Sequence, residues 1–236
     1  MRVKLLSHTN DPEKIVAAAA RCCYSNDDPD NLLESLTDDR VEKFLSKLVE
    51  MKHESPFEHA SFTFSISGVS RALLAQITRH RVASFSVRSQ RYCEFKDADF
   101  VLPDSISRDP RASEIYLESL KNLKSTYDSL LEFGIPKEDS RMILPNAAET
   151  SMVLTMNARE LLHFFSLRCC SRAQWEIRAV ANEMLKLVKN VAPNLFRRAG
   201  ANCIRLGYCP EGKMSCGKFP TLEQILNDFN ERKSNQ

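Results

Sequence analysis

The sequence predicts a single α+β domain, residues 1–236, with residues 199–236 as a Cys- and Gly-containing C-terminal extension. Three observations predict it. Apolar residues recur at helical spacing over several long stretches, as in Val41, Phe44, Leu45 and Leu48. Short strand-like runs stand between them without being consecutive, the clearest being Phe62, Phe64 and Ile66 alternating with Ser61, Thr63 and Ser65. No internal repeat, low-complexity segment or linker divides the chain, so helices and strands must share one core.

Each element has a local cause. Arg2 to Leu6 reads as a first strand, and Asn10-Asp11-Pro12 as a helix start with an acidic cap and proline in the first turn. That helix runs toward Tyr24, and Ser25 to Asp30 reads as a polar turn. The helix after Thr37-Asp38 gives way near His53-Glu54-Ser55-Pro56, because a residue before proline resists helical geometry. Gly68 is read as the end of the alternating strand, and Ser70 as the cap of a helix carrying Leu73, Leu74 and Ile77. Tyr92 to Phe95 reads as a return strand and Asp104 to Arg111 as a loop. Tyr116 to Leu130 makes a long helix closed by Gly134, and Pro136 opens a short one that Pro145 stops. Thr150 to Met156 is a buried strand, followed by a helix capped by Asn157 with Glu160 three residues on. Ala173 to Val191 is a further long helix stopped at Pro193, and Thr221-Leu222-Glu223-Gln224 is a capping box for the last one.

Composition bounds the function. Hydrophobic content of 43% and charged content of 27% suit a soluble globular protein. The formal net charge of +2 argues against a nucleic-acid-binding protein, which carries a pervasive basic excess. No apolar run approaches membrane-spanning length, and the N-terminus meets Ser7 and His8 too soon for a signal peptide; a cytoplasmic protein is expected.

Against that near-neutral background, residues 79–92 (Arg79-His80-Arg81-Val82-Ala83-Ser84-Phe85-Ser86-Val87-Arg88-Ser89-Gln90-Arg91-Tyr92) hold four arginines and no acid. Guanidinium groups repel one another and lose solvation when gathered, so the cluster points to an anionic ligand at a helix end and the loop after it. Arg141, Arg159, Arg168 and Arg172 lie near the ends of other elements. Singly each suits a solvated surface; together they suit phosphate, which a guanidinium fork grips through two bonds.

Other chemistries are weaker. His53 and His59 have no Cys or Asp nearby to complete a ligand set, and no metal is expected there. Eight cysteines in a chain of this size read as reduced thiols. Cys203, Cys209 and Cys216, with Cys169 or Cys170 as a fourth, lack the tight C-x2-C knuckles of common zinc sites. Ser84, Ser86 and Ser89 have no His–Asp relay at readable spacing to make a nucleophile. Neither a dinucleotide fingerprint nor a P-loop is present. A nucleic-acid-binding module and a zinc-stabilised interaction protein are the competing readings.

Arg79-His80-Arg81, seven residues and Ser89 resemble the RHR-x7-S signature of flavin-dependent thymidylate synthases. Also similar are His53-Glu54-Ser55-Pro56-Phe57-Glu58-His59, Ser89-Gln90-Arg91-Tyr92, Arg141-Met142-Ile143-Leu144-Pro145, Asn157-Ala158-Arg159, Leu167-Arg168 and Ala173-Gln174-Trp175-Glu176-Ile177. These motifs cover roughly residues 50–180. The resemblance implies a central, mostly antiparallel sheet flanked by long helices. It implies a methyltransferase that makes dTMP from dUMP, with methylenetetrahydrofolate as one-carbon donor and NADPH as reductant through bound FAD. It also implies a homotetramer whose sites are shared among subunits, with no nucleic-acid or membrane partner.

By motif, Ser55, Glu58, Arg79, His80, Arg81, Val87, Asn157, Arg159 and His163 would hold FAD. Gln76, Arg79, Val87, Arg88, Ser89, Gln90, Arg91, Arg141 and Arg168 would hold dUMP, with Arg168 catalytic through the charge developing on the pyrimidine. Val87 stands where relatives often carry a polar or acidic residue, which leaves its backbone as the only contact. Ser86 stands where some have Asn, and Arg172 where some have His.

Overall fold

The computed structural model describes residues 1–95 and 100–234. The strands are β1 (Arg2–His8), β2 (Ser61–Ser70), β3 (Ala83–Val87) and β4 (Glu149–Asn157), forming one four-stranded antiparallel sheet in the order β1-β2-β4-β3. The helices are α1 (Pro12–Cys22), α2 (Pro29–Glu34), α3 (Asp38–Met51), α4 (Arg71–Ile77), α5 (Asp104–Ser107), α6 (Pro110–Glu132), α7 (Lys137–Ser140), α8 (Ala158–Arg168), α9 (Trp175–Val191), α10 (Asn202–Leu206) and α11 (Leu222–Ser234). The expected α+β class holds. Among the described residues no helix is long and apolar enough to cross a membrane.

The chain gathers into two compact units, residues 1–3 with 65–154 and residues 4–64 with 155–236. In the first, Phe95 and Tyr127 pack edge to face at 6.3 Å around Ala148, with Phe100, Leu131, Ile143 and Leu144 against them. The Tyr127 hydroxyl accepts the Phe95 N–H at 3.3 Å, so this buried phenol has a partner. In the second, Phe196 meets Phe62 at 5.4 Å and Phe165 at 6.1 Å, both edge to face, on the alternating inward face of β2.

Side-chain caps open α4, α6, α8, α9 and α11. Asn157 accepts the Glu160 N–H at 2.8 Å and opens α8. Thr221 and Gln224 exchange bonds at 2.8 and 3.3 Å, the reciprocal box expected from sequence. The Ser70 hydroxyl accepts the Leu73 N–H at 3.0 Å and is buried. Ser70→Ala should therefore cost about 1 kcal/mol in chemical denaturation, and a change below about 0.3 kcal/mol would remove the cap from the account.

Several expectations are corrected. Asp11 makes no side-chain cap; its backbone is left-handed at φ 43°, and Pro12 starts α1 without it. The turn at residues 25–30 runs into α2, whose first residue, Pro29, has no N–H to leave unsatisfied. Gly68 does not end β2. It sits inside the strand at φ +68°, where a Cβ would come within 3.0 Å of the Met1 nitrogen. The Asp104–Arg111 loop contains α5. Tyr92–Phe95 is no strand, since Lys137 and Tyr127 take its backbone groups instead of a sheet partner. The stretch after Arg81, expected as loop, is the strand β3, and Arg88 N–H continues its pairing to the Ser151 carbonyl at 2.9 Å.

Candidate active site

In the first unit, α4 ends at Ile77, so Arg79, His80 and Arg81 follow its C-terminus, where the helix dipole favours cations. Arg79 and Arg81 are exposed, while His80 is buried and its N–H is held by the Ile77 carbonyl. Gln76 donates back to the Ala72 carbonyl at 3.2 Å. Val87 is the last residue of β3, half-buried, with Arg88 pointing out beyond it.

The turn that follows is built by its own side chain. The Ser89 hydroxyl accepts the Arg91 N–H at 3.1 Å, and the Ser89 carbonyl accepts the Cys93 N–H at 3.0 Å. Arg91 then reaches Glu138 at 2.6 Å and lies over the Tyr92 ring at 5.5 Å. Arg141 donates to the Glu138 carbonyl at 3.0 Å, so Glu138 gathers both arginines. Lys137, one residue earlier, pairs with Glu94 at 3.1 Å. Arg91 and Arg141, fifty residues apart in sequence, are thereby brought together.

Beneath this turn is a small cleft of about 20 Å³ lined by Arg71, Arg88, Ser89, Gln90, Glu149 and Thr150, among others. Three side-chain atoms on its wall are buried without a hydrogen-bond partner: Arg71 Nε, Gln90 Nε2 and Thr150 Oγ1. Such atoms are rare in folded proteins, because each forfeits its hydration. Two are donors and the third can donate. Burial, and then the charge of Arg141, push the Arg71 guanidinium below its ordinary pKa. Glu94 and Glu149 share the lining with these atoms, so the cleft carries charge of both signs, and its three partnerless polar atoms keep hydrogen-bonding capacity that an oxyanion would meet.

Arg71 was not among the residues the sequence singled out. Its Nη2 also donates to the Arg88 carbonyl at 3.4 Å, tying α4 to the turn. Its only signal is a basic residue beside a helix cap, which is indistinguishable from a surface arginine until the fold buries it.

The second unit holds another group. Ser55 and Glu58 lie on a 3₁₀ turn, Ser55–His59, which packs against α8. Glu58 pairs with Arg159 in the first turn of α8, and both are about half exposed. The Ala158 N–H reaches the Ala60 carbonyl at 2.7 Å and fixes that turn beside the helix start. Asn157 spends its side-chain oxygen on the cap. His163 is exposed one turn further along α8, and Arg168 is the last residue of the helix. Arg172 is drawn away to Glu211 in an ion pair. A hydroxyl, a carboxylate, a guanidinium and an imidazole therefore face solvent along one helix and its neighbouring turn. Such a set of donors and acceptors can bind hydroxyl and phosphate groups of a ligand.

Residues 4–194 match the family model described as thymidylate synthase complementing protein. A flavin-dependent thymidylate synthase of Geobacter sulfurreducens is 49% identical over 97% of this chain and 99% of its own length. That of Clostridium tetani is 45% identical over 95% and 96%, and that of Saccharolobus solfataricus 44% identical over 96% and 86%. The arginine-rich turn of the first unit and the polar face of α8 in the second are accordingly those of a member of the flavin-dependent thymidylate synthase family, to which this chain belongs.

Proposed function

We propose that this protein methylates dUMP reductively to dTMP, taking the carbon from methylenetetrahydrofolate and the electrons from NADPH through bound FAD. The observation that carries the nucleotide half is the trio of partnerless buried atoms under the Ser89 turn, Arg71 Nε, Gln90 Nε2 and Thr150 Oγ1, beside Arg88. A nucleotide phosphate supplies the acceptors those donors lack, with Arg91 and Arg141 closing over it. Gln76 and Arg79 would contact the rest of dUMP.

The flavin would be held by Ser55, Glu58, Arg159 and His163, with Arg79, His80 and Arg81 as further contacts and the backbone of Val87. Asn157 would contribute mainly by holding the first turn of α8 in place, since its oxygen is already used. Bound FAD supplies hydride chemistry that no side chain can. The chain's own task is to bind, orient and polarise. Arg168 would face the pyrimidine and stabilise negative charge on N3 and O2, which makes C5 nucleophilic without a protein nucleophile. The family's assembly as a homotetramer, with sites shared among subunits, is part of this proposal; the exposed Arg79 and Arg81 are available for such sharing.

The test is a spectrum and a turnover assay on the same preparation. The purified protein should be yellow and release FAD on denaturation. It should form dTMP from dUMP only with methylenetetrahydrofolate and NADPH both present. A protein that takes up no FAD, or that turns over NADPH without any dependence on dUMP in product formation, would refute it.

A further inference from the structure

The 3₁₀ turn Ser55–His59 carries Ser55 and Glu58 of the proposed flavin set, and a turn of this kind is weakly held by its own bonds. The Phe57 N–H reaches the Glu54 carbonyl at 3.1 Å and the Ala60 N–H the Phe57 carbonyl at 3.3 Å. Pro56 has no N–H to add. The place of the turn is therefore set from outside it. Phe57 is fully buried and anchors the middle, with α1 and α8 packed against the turn. The Ala60 carbonyl takes the Ala158 N–H at 2.7 Å and pins the end. The start depends on Glu54, whose side chain makes no cap.

That carboxylate instead accepts from Arg205 Nη2 at 2.9 Å, with the Arg205 and Glu54 side chains 27% and 24% exposed. Glu50, Lys52 and Arg198 share the small cleft beside the pair, yet among the described residues only Arg205 is ion-paired with Glu54. Arg205 belongs to the C-terminal extension and lies beyond residues 4–194, which match the family model. It stands on α10, which packs on α8 and is ended by Gly207 at φ +78°. The stretch leading to it is fixed as well. Arg197 donates to the Ser46 hydroxyl at 3.1 Å, and the Asn194 side chain donates to Glu13 at 2.8 Å. On the other side Lys52, left-handed at φ 57°, turns the chain out of α3 two residues before Glu54. A guanidinium that reaches the turn from so firm a support can set its position.

We propose that Arg205 is a positioning residue for the cofactor site: its ion pair with Glu54 holds the residue before Ser55, so that Ser55 and Glu58 meet the flavin without rearranging. This role rests on the assignment of Ser55 and Glu58 to the flavin. A partly buried pair between fixed side chains keeps more of its attraction than an exposed one, because less water screens it and less side-chain freedom is lost. Without Arg205, Glu54 would keep its charge in a place largely withdrawn from water, and the turn would have to shift to hydrate it. The preorganisation lost is then taken from the affinity for the cofactor.

The test is FAD binding by the full chain after removal of its cofactor, followed by flavin absorbance, with the melting temperature of the FAD-free protein measured on the same samples. Arg205→Ala should raise the FAD dissociation constant about five- to tenfold, while the FAD-free melting temperature moves by no more than about 3 °C. Glu54→Ala should weaken FAD to a similar degree, and the double variant should be no worse than either single one, because the two residues act as a unit. Arg205→Lys should recover most of the affinity by pairing with Glu54 again. FAD affinity within about twofold of the parent in Arg205→Ala, or single effects that multiply in the double variant, would overturn the role. Glu58→Ala separates it from the assignment on which it rests. If Glu58→Ala weakens FAD and Arg205→Ala does not, the flavin turn stands and the positioning role falls. If Glu58→Ala leaves FAD binding unaltered, the flavin assignment fails and the role with it.

Discussion

Replacing Arg168 with alanine is expected to lower the rate of dTMP formation by ~10²–10³-fold while the protein still retains its FAD. Arg168 ends α8, where the helix dipole favours a cation, and the next residue's N–H closes the helix on the Phe165 carbonyl. In the proposed role, a guanidinium at a helix end would need little reorganisation as charge develops on the pyrimidine. Its worth is realised in the transition state, and loss should appear in kcat more than in the dUMP concentration needed. Lysine at the same position keeps the charge but loses the planar fork, so Arg168→Lys should fall between the two. Single-turnover dTMP formation and flavin absorbance measured on the same sample separate the roles. Loss of FAD with unimpaired chemistry would show Arg168 to be a cofactor anchor.

The long elements were legible because their causes are local. The Ser70, Asn157 and Thr221 caps are side-chain bonds to N–H groups three residues on, and a sequence displays that spacing directly. The strand β2 announced itself through the alternation of Phe62, Phe64 and Ile66. What failed had non-local causes. Gly68 looks like a stop signal, yet it is inside β2 because Met1 approaches the backbone there. Residues 83–87 looked like loop because they continue the arginine cluster past a helix end, and β3 is an edge strand whose pairing to β4 only the fold supplies. Tyr92–Phe95 has strand composition, but its backbone is spoken for by Lys137 and Tyr127, residues from α7 and α6.

The candidate site divides the same way. The signature residues 79–91 and the α8 residues 157–168 stand out as motifs, and the structure gathers each set within its own unit. The coupling of Arg91 to Arg141 runs through Glu138, which no sequence pattern marks. Arg172 looked like one more phosphate ligand and instead holds Glu211. A list of arginines cannot say which ones already have a carboxylate.

Arg71→Ala is expected to raise the dUMP concentration needed for half-maximal rate by ~10–100-fold, with kcat altered by no more than a few-fold, since a charged hydrogen bond contributes about 1.5–3 kcal/mol. Two physical effects make this residue informative. Its Nε is buried without a partner, and it sits near Arg141 in a cleft that penalises its charge. Without ligand, therefore, the guanidinium stabilises the fold little, and alanine should leave the apo melting temperature unchanged or raise it. A phosphate bound there would reverse the balance by offering acceptors and negative charge to a cation already partly withdrawn from water. The stabilisation that dUMP confers in a thermal shift should then shrink in the variant, following its weakened binding. Arg71→Lys should recover part of the binding through charge but not the bond to the Arg88 carbonyl that steadies the Ser89 turn. A variant that melts well below the parent without ligand, yet keeps its dUMP response, would make Arg71 a structural tie and remove it from the phosphate site.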